Sequence, residues 1–247
     1  MSIAIALDGP AGAGKSSIAK RAAAALDFIY VDTGALYRAI GLAASRRGVE
    51  PVASKEVDDM LAAISVDLAF NDKGEQIVLL NGEDVSAQIR TPEASMMASK
   101  ISAIPSVRAY LLDLQRSMAK TNNVIMDGRD IGTVVLPDAQ VKIFLTASPE
   151  ARAGRRYKEL IEKGMDVRYE DILQDVITRD YNDSHRETAP LKPAEGCVMV
   201  DTTELDFEQS VQTIISVIKE NSHGTEYGVV YIRQVDSLSC LQAFIPF

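Results

Sequence analysis

The sequence predicts an α/β fold of three layers, with a central sheet of five parallel strands between helices. Five short, nearly continuous apolar runs are typical of strands buried on both faces. They are residues 3–7, 28–31, 124–127, 141–146 and 198–201. Helix signals separate the runs, and one segment breaks the alternation. Alternating strands and helices are typical of a parallel sheet.

The helix signals take a repeated form. Ser148 and Thr91 are each followed by a proline and a glutamate, which indicates a helix N-cap, a first-turn proline and a first-turn acid. After Pro105, apolar residues recur at spacings of four, three and four, and predict an amphipathic helix that ends near Lys120. Apolar residues within 211–218 predict a final helix in the same way.

A small antiparallel insertion is predicted at residues 63–91. Two β-rich runs there, SVDLAF and QIVLLNGEDV, flank the polar turn NDKGE, as in a hairpin. We expect a core domain, this insertion, a charged segment and a tail of unknown role, for which vector-encoded residues are one explanation. Their bounds are 1–62 with 92–150 and 191–221 for the core, 151–190 for the charged segment and 222–247 for the tail.

The composition narrows the class of protein. Lys and Arg number 26 against 35 Asp and Glu, a formal charge of -9, which disfavours binding to duplex nucleic acid. The two cysteines form no CxxC pair, and the sequence opens without a signal peptide. No apolar run approaches the roughly 18 residues of a membrane span. We therefore expect a cytosolic monomer without nucleic acid or membrane partners.

Residues 9–16 read GPAGAGKS and match the pattern G-x-x-x-x-G-K-[ST] between a predicted strand and a predicted helix. This is the context of a P-loop, whose backbone amides and helix N-terminus bind phosphates. A chance glycine-rich turn is the alternative, which the flanking elements disfavour. The residues predicted to bind the nucleotide here are Gly9, Pro10, Ala11, Gly12, Ala13, Gly14, Lys15, Ser16 and Ser17.

Each of these residue types has a chemical reason. The lysine, Lys15, is expected to reach the β- and γ-phosphates of ATP, and the hydroxyl of Ser16 is expected to lie on Mg²⁺. Gly12 and Gly14 allow a close backbone approach that a Cβ atom would obstruct. A P-loop does not identify the acceptor. Because the chain is short and lacks an N-K-x-D guanine motif, a small-molecule kinase is the leading hypothesis.

Four further motifs lie in order along the chain: VDTGALYR (31–38), MDGRDIGTVVLPDA (126–139), ARAGRRYKELIEKG (151–164) and TRDYNDSHRETAPL (178–191). Together with the P-loop they make residues 1–220 resemble the bacterial cytidylate kinase family of P-loop nucleoside-monophosphate kinases. The resemblance implies a P-loop fold with a small β insertion and a helical lid at 151–190. It also implies transfer of phosphate from ATP, with Mg²⁺, to CMP or dCMP.

Asp32, Thr33, Tyr37 and Arg38 lie where the second strand ends and its helix begins, an edge at which ligands of open α/β sheets bind. The resemblance implies that these residues contact the acceptor nucleotide, with Arg38 on its phosphate. Core packing is an equal alternative for Tyr37, because aromatic residues of helices are usually buried.

Asp127 ends the strand predicted beside the P-loop, and with Ser16 it is a candidate ligand of Mg²⁺, held through water. The resemblance implies that Arg129 grips the acceptor phosphate and that Asp130 contacts the acceptor nucleoside. A buried Arg–Asp structural pair is the alternative.

The resemblance also implies that Ser99 and Arg108 contact the cytosine ring, Asp183 the ribose, and Arg186 the nucleotide near its base. A guanidinium only donates, so Arg108 suits the O2 and N3 acceptors of cytosine. Without the resemblance, Arg108 would be interpreted as a solvated helix charge.

Arg152, Arg155 and Arg156 share one helical face, where unpaired like charges would repel and a polyphosphate would relieve the repulsion. We assign this face to a lid over ATP, with Arg152 binding ATP and the other two neutralising the transferring phosphoryl group. A solvated basic face beside Glu159 is the alternative. The predicted catalytic residues are thus Lys15, Arg129, Arg155 and Arg156.

Two other functions compete with this hypothesis. One is a P-loop kinase for another acceptor, such as UMP or shikimate. The other is a nucleotide-binding switch, which would leave the acceptor-side arginines without a purpose. That argument favours the kinase.

Overall fold

The structure is a computed structural model, and it describes residues 2–72, 75–222 and 231–232. The strands, numbered along the chain, are β1 (Ala4–Asp8), β2 (Ile29–Asp32), β3 (Val66–Phe70), β4 (Gln76–Leu80), β5 (Glu83–Asp84), β6 (Val124–Gly128), β7 (Val141–Thr146), β8 (Val198–Asp201) and β9 (Tyr231–Ile232). The helices are α1 (Lys15–Leu26), α2 (Thr33–Arg47), α3 (Lys55–Ala62), α4 (Pro92–Ile101), α5 (Pro105–Thr121), α6 (Pro149–Glu162), α7 (Tyr169–His185) and α8 (Phe207–Asn221). A π-helical turn covers Ile131–Val135.

The main sheet has the order β2-β6-β1-β7-β8, and all of these strands pair in parallel. The prediction of a five-stranded parallel sheet is confirmed. The two-residue strand β9 adds to its edge by pairing with β8. The rest of the predicted tail, at 223–230 and 233–247, lies outside the described residues, as do residues 73–74 of the predicted hairpin turn.

The period-two alternation of β1 explains the three layers. Ile5 and Leu7 pack with α1 and α8 on one face of the sheet. Ala4 and Ala6 pack on the other face, against the π-helical turn and partly buried residues of α5. Burying one large aliphatic side chain contributes about 1.5–3 kcal/mol. The carboxyl ends of the strands therefore converge at one rigid edge, where the P-loop begins.

Strands β3, β4 and β5 form a separate antiparallel sheet, and the predicted hairpin is confirmed. Asn81 and Gly82 join β4 to β5, both with positive φ, at 52° and 79°. A two-residue loop of Asn-Gly with this conformation matches the right-handed twist of the strands it joins. Val78 and Leu80 of β4 pack in one apolar cluster with Leu36 of α2, so the small sheet and α2 share a core.

Helices α6 and α7 form a hairpin within the predicted lid. Ser148 caps α6 by accepting a hydrogen bond from the amide of Ala151 at 3.1 Å, as the sequence predicts. Ala153, Leu160 and Ile172 pack between the two helices. The division of the chain into a core, an insertion and a lid that move separately stays a prediction. Within the described part of the chain, no helix combines the length and apolar character needed to cross a membrane.

Candidate active site

The P-loop connects the end of β1 to the start of α1. Gly14 is the N-cap residue of α1, with φ at 84°, and Gly12 has φ at 73°, a region that favours glycine. A Cβ atom at Gly9 would lie 1.9 Å from the carbonyl oxygen of Leu145, so this position admits only glycine. The loop therefore curls tightly against β7, and the free amides at the start of α1 can bind an anion.

Lys15 occupies the centre of this loop. Its side chain is buried, and its ammonium donates a hydrogen bond to the carbonyl oxygen of Pro10 at 2.7 Å. Burial, together with the charge of Arg129, lowers the pKa of Lys15 well below its ordinary value. Phosphate oxygens bound in the loop would favour the charged form again, so a polyphosphate ligand stabilises this lysine.

Ser16 and Asp127 meet beside the loop. The Ser16 hydroxyl donates to Asp127 Oδ2 at 2.7 Å, and the Tyr30 hydroxyl donates to Oδ1 at 3.2 Å. Burial, with the charge of Asp32, raises the pKa of Asp127 above its ordinary value. A hydroxyl and a carboxylate are oxygen ligands of the kind that Mg²⁺ prefers. The residues present thus fit the ion.

The described residues contain no group of three or more His, Cys, Asp or Glu side chains that would hold a metal by themselves. Mg²⁺ is usually bound by one or two carboxylates together with substrate phosphates and waters. An ion at Ser16 and Asp127 would therefore depend on the nucleotide for its remaining ligands.

Asp32 organises the start of α2. Its carboxylate accepts a hydrogen bond from the amide of Ala35 at 3.0 Å and another from Arg38 Nη2 at 2.7 Å. A Cβ atom at Gly34 would lie 3.1 Å from Arg38 Nη1, so the glycine gives this arginine room to fold back over the first turn. Thr33 is buried and donates to the carbonyl oxygen of Asp127 at 2.7 Å.

Gln76, the first residue of β4, reaches this group from the small sheet. Its Oε1 atom accepts a hydrogen bond from the amide of Asp32 at 3.0 Å. A cavity of about 260 Å³ lies between the two sheets, and its wall includes Ser16, Asp32, Arg38 and Gln76. The sequence analysis missed Gln76, because no local pattern shows where a hairpin will dock.

Asp130 lies between two arginines. Arg108 Nη2 donates to Asp130 Oδ2, and Arg186 Nη2 lies 3.6 Å from Oδ1. Arg108 also donates to the carbonyl oxygen of Ser102 at 3.1 Å and lies over the ring of Tyr37, 5.6 Å from its centroid. All three charged side chains are at least nine-tenths buried. Tyr37 is buried as well. It both packs in the core and supports Arg108, which is predicted to contact the substrate.

Ser99 lies on α4, near this group. Its carbonyl oxygen accepts a hydrogen bond from the Ser102 hydroxyl at 3.1 Å, and the Ser102 carbonyl binds Arg108. The predicted contact of Ser99 with the cytosine ring stays a prediction.

Arg129 connects the end of β6 to the predicted lid. Its Nε atom donates to Asp183 Oδ2 at 3.0 Å, and its Nη1 atom donates to the carbonyl oxygen of Gly128 at 3.2 Å. Arg179, one turn before Asp183 on α7, joins this group, and burial together with the charge of Arg129 lowers its pKa. The sequence analysis left Arg179 out of the site, although its spacing from Asp183 and Arg186 was visible.

Three buried guanidinium nitrogens lack a hydrogen-bond partner among the described residues: Arg38 Nε, Arg179 Nε and Arg186 Nη2. Leaving a buried donor unpaired costs free energy, so such groups usually mark a functional demand. Guanidinium groups in this arrangement suit the oxygens of a phosphate and a nucleoside.

All three arginines of the predicted lid have partners within the protein, which corrects the assumption that their charges are unpaired. Arg152 is buried and donates to the carbonyl oxygen of Ala11 at 2.9 Å and to Asp180. It therefore touches the P-loop backbone directly. The other two arginines have partners outside the P-loop. Arg155 donates to the carbonyl oxygens of Thr202 and Leu205, and Arg156 pairs with Glu159. Their predicted roles in catalysis stay predictions.

Asp8 is a further residue that the sequence analysis missed. It ends β1 directly before Gly9, and its two oxygens each accept a backbone hydrogen bond at 2.8 Å, from Ile131 and from Gly132. Burial raises the pKa of Asp8 to about 6. An acidic residue at the end of a buried strand was the available signal.

The fold and these contacts define a P-loop kinase, in which a phosphate-binding loop faces a cluster of buried guanidinium groups. The family model for cytidylate kinase matches residues 5–220. Cytidylate kinases of Caldanaerobacter subterraneus subsp. tengcongensis and Thermosipho melanesiensis are 48% and 47% identical to the chain. The alignments cover 91% and 87% of this chain and 98% and 96% of the relatives. The chain belongs to the cytidylate kinase family.

This membership confirms the predicted family and the predicted ATP-dependent (d)CMP kinase, and it does not favour another acceptor or a switch. Among solved structures, a shikimate kinase from Acinetobacter baumannii covers 91% of this chain at 16% identity, with a TM-score of 0.41. That likeness is too distant to bear on the acceptor.

Proposed function

We propose that the chain transfers the γ-phosphoryl group of ATP directly to a phosphate oxygen of CMP or dCMP, in line and without a phosphoenzyme. The products are ADP and CDP or dCDP. The observation that carries this proposal is a set of buried guanidinium donors that make no hydrogen bond within the described residues, on Arg38, Arg179 and Arg186. A protein that only binds or hydrolyses ATP has no use for them.

The P-loop holds the donor. The backbone amides of residues 11–17 surround the phosphates, Gly9 and Pro10 shape the start of the loop, and Lys15 neutralises charge on the β- and γ-phosphates. Ser16 and Asp127 hold Mg²⁺, which supplies charge neutralisation on the phosphate oxygens when bound. Arg152 supports the loop through the carbonyl oxygen of Ala11.

Arg38 and Arg129 hold the acceptor phosphate in line with the donor, with Thr33 at the same strand edge. Positioning and charge neutralisation are the main requirements of phosphoryl transfer, since its transition state is loose. Arg38 already has a free Nε donor, while its Nη2 atom is paired with Asp32. The acceptor phosphate can therefore bind the free donor of Arg38 while Asp32 continues to hold the other end of the guanidinium group.

The acceptor nucleoside lies against the buried charged group described above. Arg108 and Arg186 donate to the cytosine ring, while Asp130 holds both guanidinium groups in place. Ser99 and Tyr37 complete this side of the site, and Asp183 binds the ribose. The presence of two cations on one carboxylate favours a ligand rich in acceptors.

The lid completes the site when it closes. Arg155 and Arg156 then exchange their present partners for the oxygens of the transferring group, which makes them catalytic residues together with Lys15 and Arg129. Closure also excludes water, which would otherwise accept the phosphoryl group. The movement involves residues 151–190 and the small sheet at 63–91.

We further propose that one chain is the working unit, because residues of the same chain form the donor loop and the acceptor cluster. Light scattering of the purified protein tests this point. The prediction that the enzyme works in the cytosol, where ATP and CMP are supplied, stays a prediction.

A coupled assay of ADP release tests the proposed reaction. We expect ADP release to depend on added CMP or dCMP, with little release for UMP, AMP or shikimate. The variant Lys15→Ala should abolish turnover while it retains a cooperative thermal unfolding transition. ADP release that is independent of CMP, or calorimetry without heat on addition of CMP, would contradict the proposal.

A further inference from the structure

The π-helical turn at Ile131–Val135 has an unusual cap. Asp130 occupies its N-cap position, but the Asp130 side chain makes no hydrogen bond to the turn. An aspartate at an N-cap normally accepts a hydrogen bond from one of the first amides of the helix. Here the two carboxylate oxygens of Asp130 face Arg108 and Arg186 instead.

A different carboxylate caps the turn. Asp8 accepts hydrogen bonds from the amides of Ile131 and Gly132 at 2.8 Å each. These residues lie 123 and 124 positions further along the chain. Asp8 is only 3% exposed, so both hydrogen bonds form away from water. Hydrogen bonds to a charged group are stronger than neutral ones, and two parallel bonds also fix the orientation of the turn.

Gly132 lies beside the carboxylate of Asp8 and close to Ala194. A Cβ atom added at Gly132 would lie 3.4 Å from Asp8 Oδ2 and 3.1 Å from the Cβ atom of Ala194. The contact with Ala194 would be tight, whereas the contact with Asp8 would be an ordinary one, so the glycine lets the turn lie close to Ala194 beside the Asp8 carboxylate. The amide of Ile131 directly follows Asp130, so a small shift of the turn moves the Asp130 side chain.

We propose that Asp8 is a positioning residue for the acceptor nucleotide: it caps the turn in place of Asp130 and so leaves the Asp130 carboxylate to hold Arg108 and Arg186. The inference rests on the proposed function, in which those arginines bind the acceptor nucleoside. Since Asp8 directly precedes Gly9, the same residue fixes the acceptor side relative to the P-loop.

Loss of the Asp8 cap has a specific consequence. The amides of Ile131 and Gly132 would then need another acceptor, and the Asp130 carboxylate is the nearest one in sequence. If Asp130 turned back to cap them, Arg108 and Arg186 would lose their shared partner. Binding of CMP would weaken, whereas the P-loop contacts to ATP would persist. A merely structural Asp8 would lower stability without this selectivity.

The variant Asp8→Asn tests the proposal, because it keeps the shape of the side chain but turns one acceptor into a donor that faces an amide. We expect the KM for CMP to rise about tenfold and the KM for ATP to rise much less, since Asp8 acts on the P-loop only through its charge near Lys15. The matched control Asp138→Asn changes an exposed aspartate of the following loop and should behave as the wild type.

A double-mutant cycle with Asp130→Asn separates positioning from general damage. If Asp8 acts through Asp130, the losses of CMP affinity in the two single variants will not add in the double variant. Calorimetric titration with CMP gives this result without turnover. The variant Gly132→Ala, which crowds Ala194 and so shifts the turn that Asp8 caps, should also weaken CMP binding and serves if Asp8→Asn does not fold.

Wild-type CMP affinity in Asp8→Asn, or additive losses in the cycle, would overturn the inference while the proposed reaction stands. Absence of CMP-dependent ADP release in the wild-type protein would instead contradict the proposed reaction.

Discussion

Arg186, in the buried cluster around Asp130, and Arg156, in the predicted lid, differ in how they are held. Arg186 is about nine-tenths buried and has a donor that makes no hydrogen bond within the described residues. Arg156 in the lid is 41% exposed and pairs with a neighbour on its own helix. A buried guanidinium with a free donor is organised before its ligand arrives, so it contributes without rearrangement. A paired surface guanidinium must first exchange its partner.

The largest expected effect comes from removing Arg129, the partly buried arginine that we propose holds the acceptor phosphate. Arg129→Ala should lower kcat/KM for CMP by about 10³-fold, as with the loss of a charge-stabilising donor elsewhere, whereas Arg156→Ala should lower it by about tenfold. Steady-state kinetics with both substrates varied measures the two values. Equal losses would break the distinction between the two groups.

The loss of Arg129 also leaves Asp183 buried without its partner, so stability must be measured in parallel. Arg129→Lys is the matched variant, since it retains the charge but not the planar donors. Its activity should fall between those of the wild type and Arg129→Ala.

The second effect is a pH dependence of the free energy of unfolding, which follows from the burial of Asp8. Burial raises the pKa of Asp8 from 3.8 to about 6 in the folded protein. The folded state therefore binds this proton more tightly than the unfolded state does, and the resulting stabilisation is fully present below pH 3.8 and is lost as the pH rises through 6. The free energy of unfolding of the wild type, relative to Asp8→Asn, should fall by up to about 3 kcal/mol between pH 4 and 7. Urea unfolding of both proteins across this range measures it, and a constant difference would refute it.

A smaller effect is expected where the insertion touches the acceptor site. Gln76→Ala removes the acceptor of the Asp32 amide, so the KM for CMP should rise about fivefold with little change in kcat. Gln140→Ala is the matched control, because Gln140 likewise accepts a backbone amide, that of Ala4 at 2.7 Å, but lies away from the site. Equal kinetics in the two variants would show that Gln76 is only structural.

The smallest effect concerns the lid. Glu159→Gln removes the carboxylate that pairs with Arg156, so the arginine should be released toward ATP and the KM for ATP should fall about twofold. Stability should change by no more than about 0.5 kcal/mol, because the pair is exposed. An unchanged or raised KM for ATP would show that the pair does not compete with the nucleotide.

The sequence predicted the structure correctly wherever the relevant residues lie close together in the chain. The buried strands, the cap at Ser148, the hairpin and the P-loop each depend on residues close in the chain, and all were predicted correctly. The resemblance supplied the acceptor residues Arg108 and Arg186, whose spacing alone has many explanations.

The rest depended on tertiary contacts. Gln76 and Asp8 reach the site because separate elements pack together, and the lid arginines have partners that spacing on a helix cannot reveal. Like charges at spacings of three and four were expected to lack partners, but long side chains find carbonyl groups and acids on neighbouring elements. Arg179 could have been included from its spacing on α7.

The shared core of α2 and the small sheet has a consequence for how specificity can evolve. The apolar side chains that support Arg38 belong to one cluster, whereas those beneath the P-loop belong to another. Repacking the first cluster can therefore tilt the acceptor wall and change which monophosphate fits, while ATP continues to bind as before.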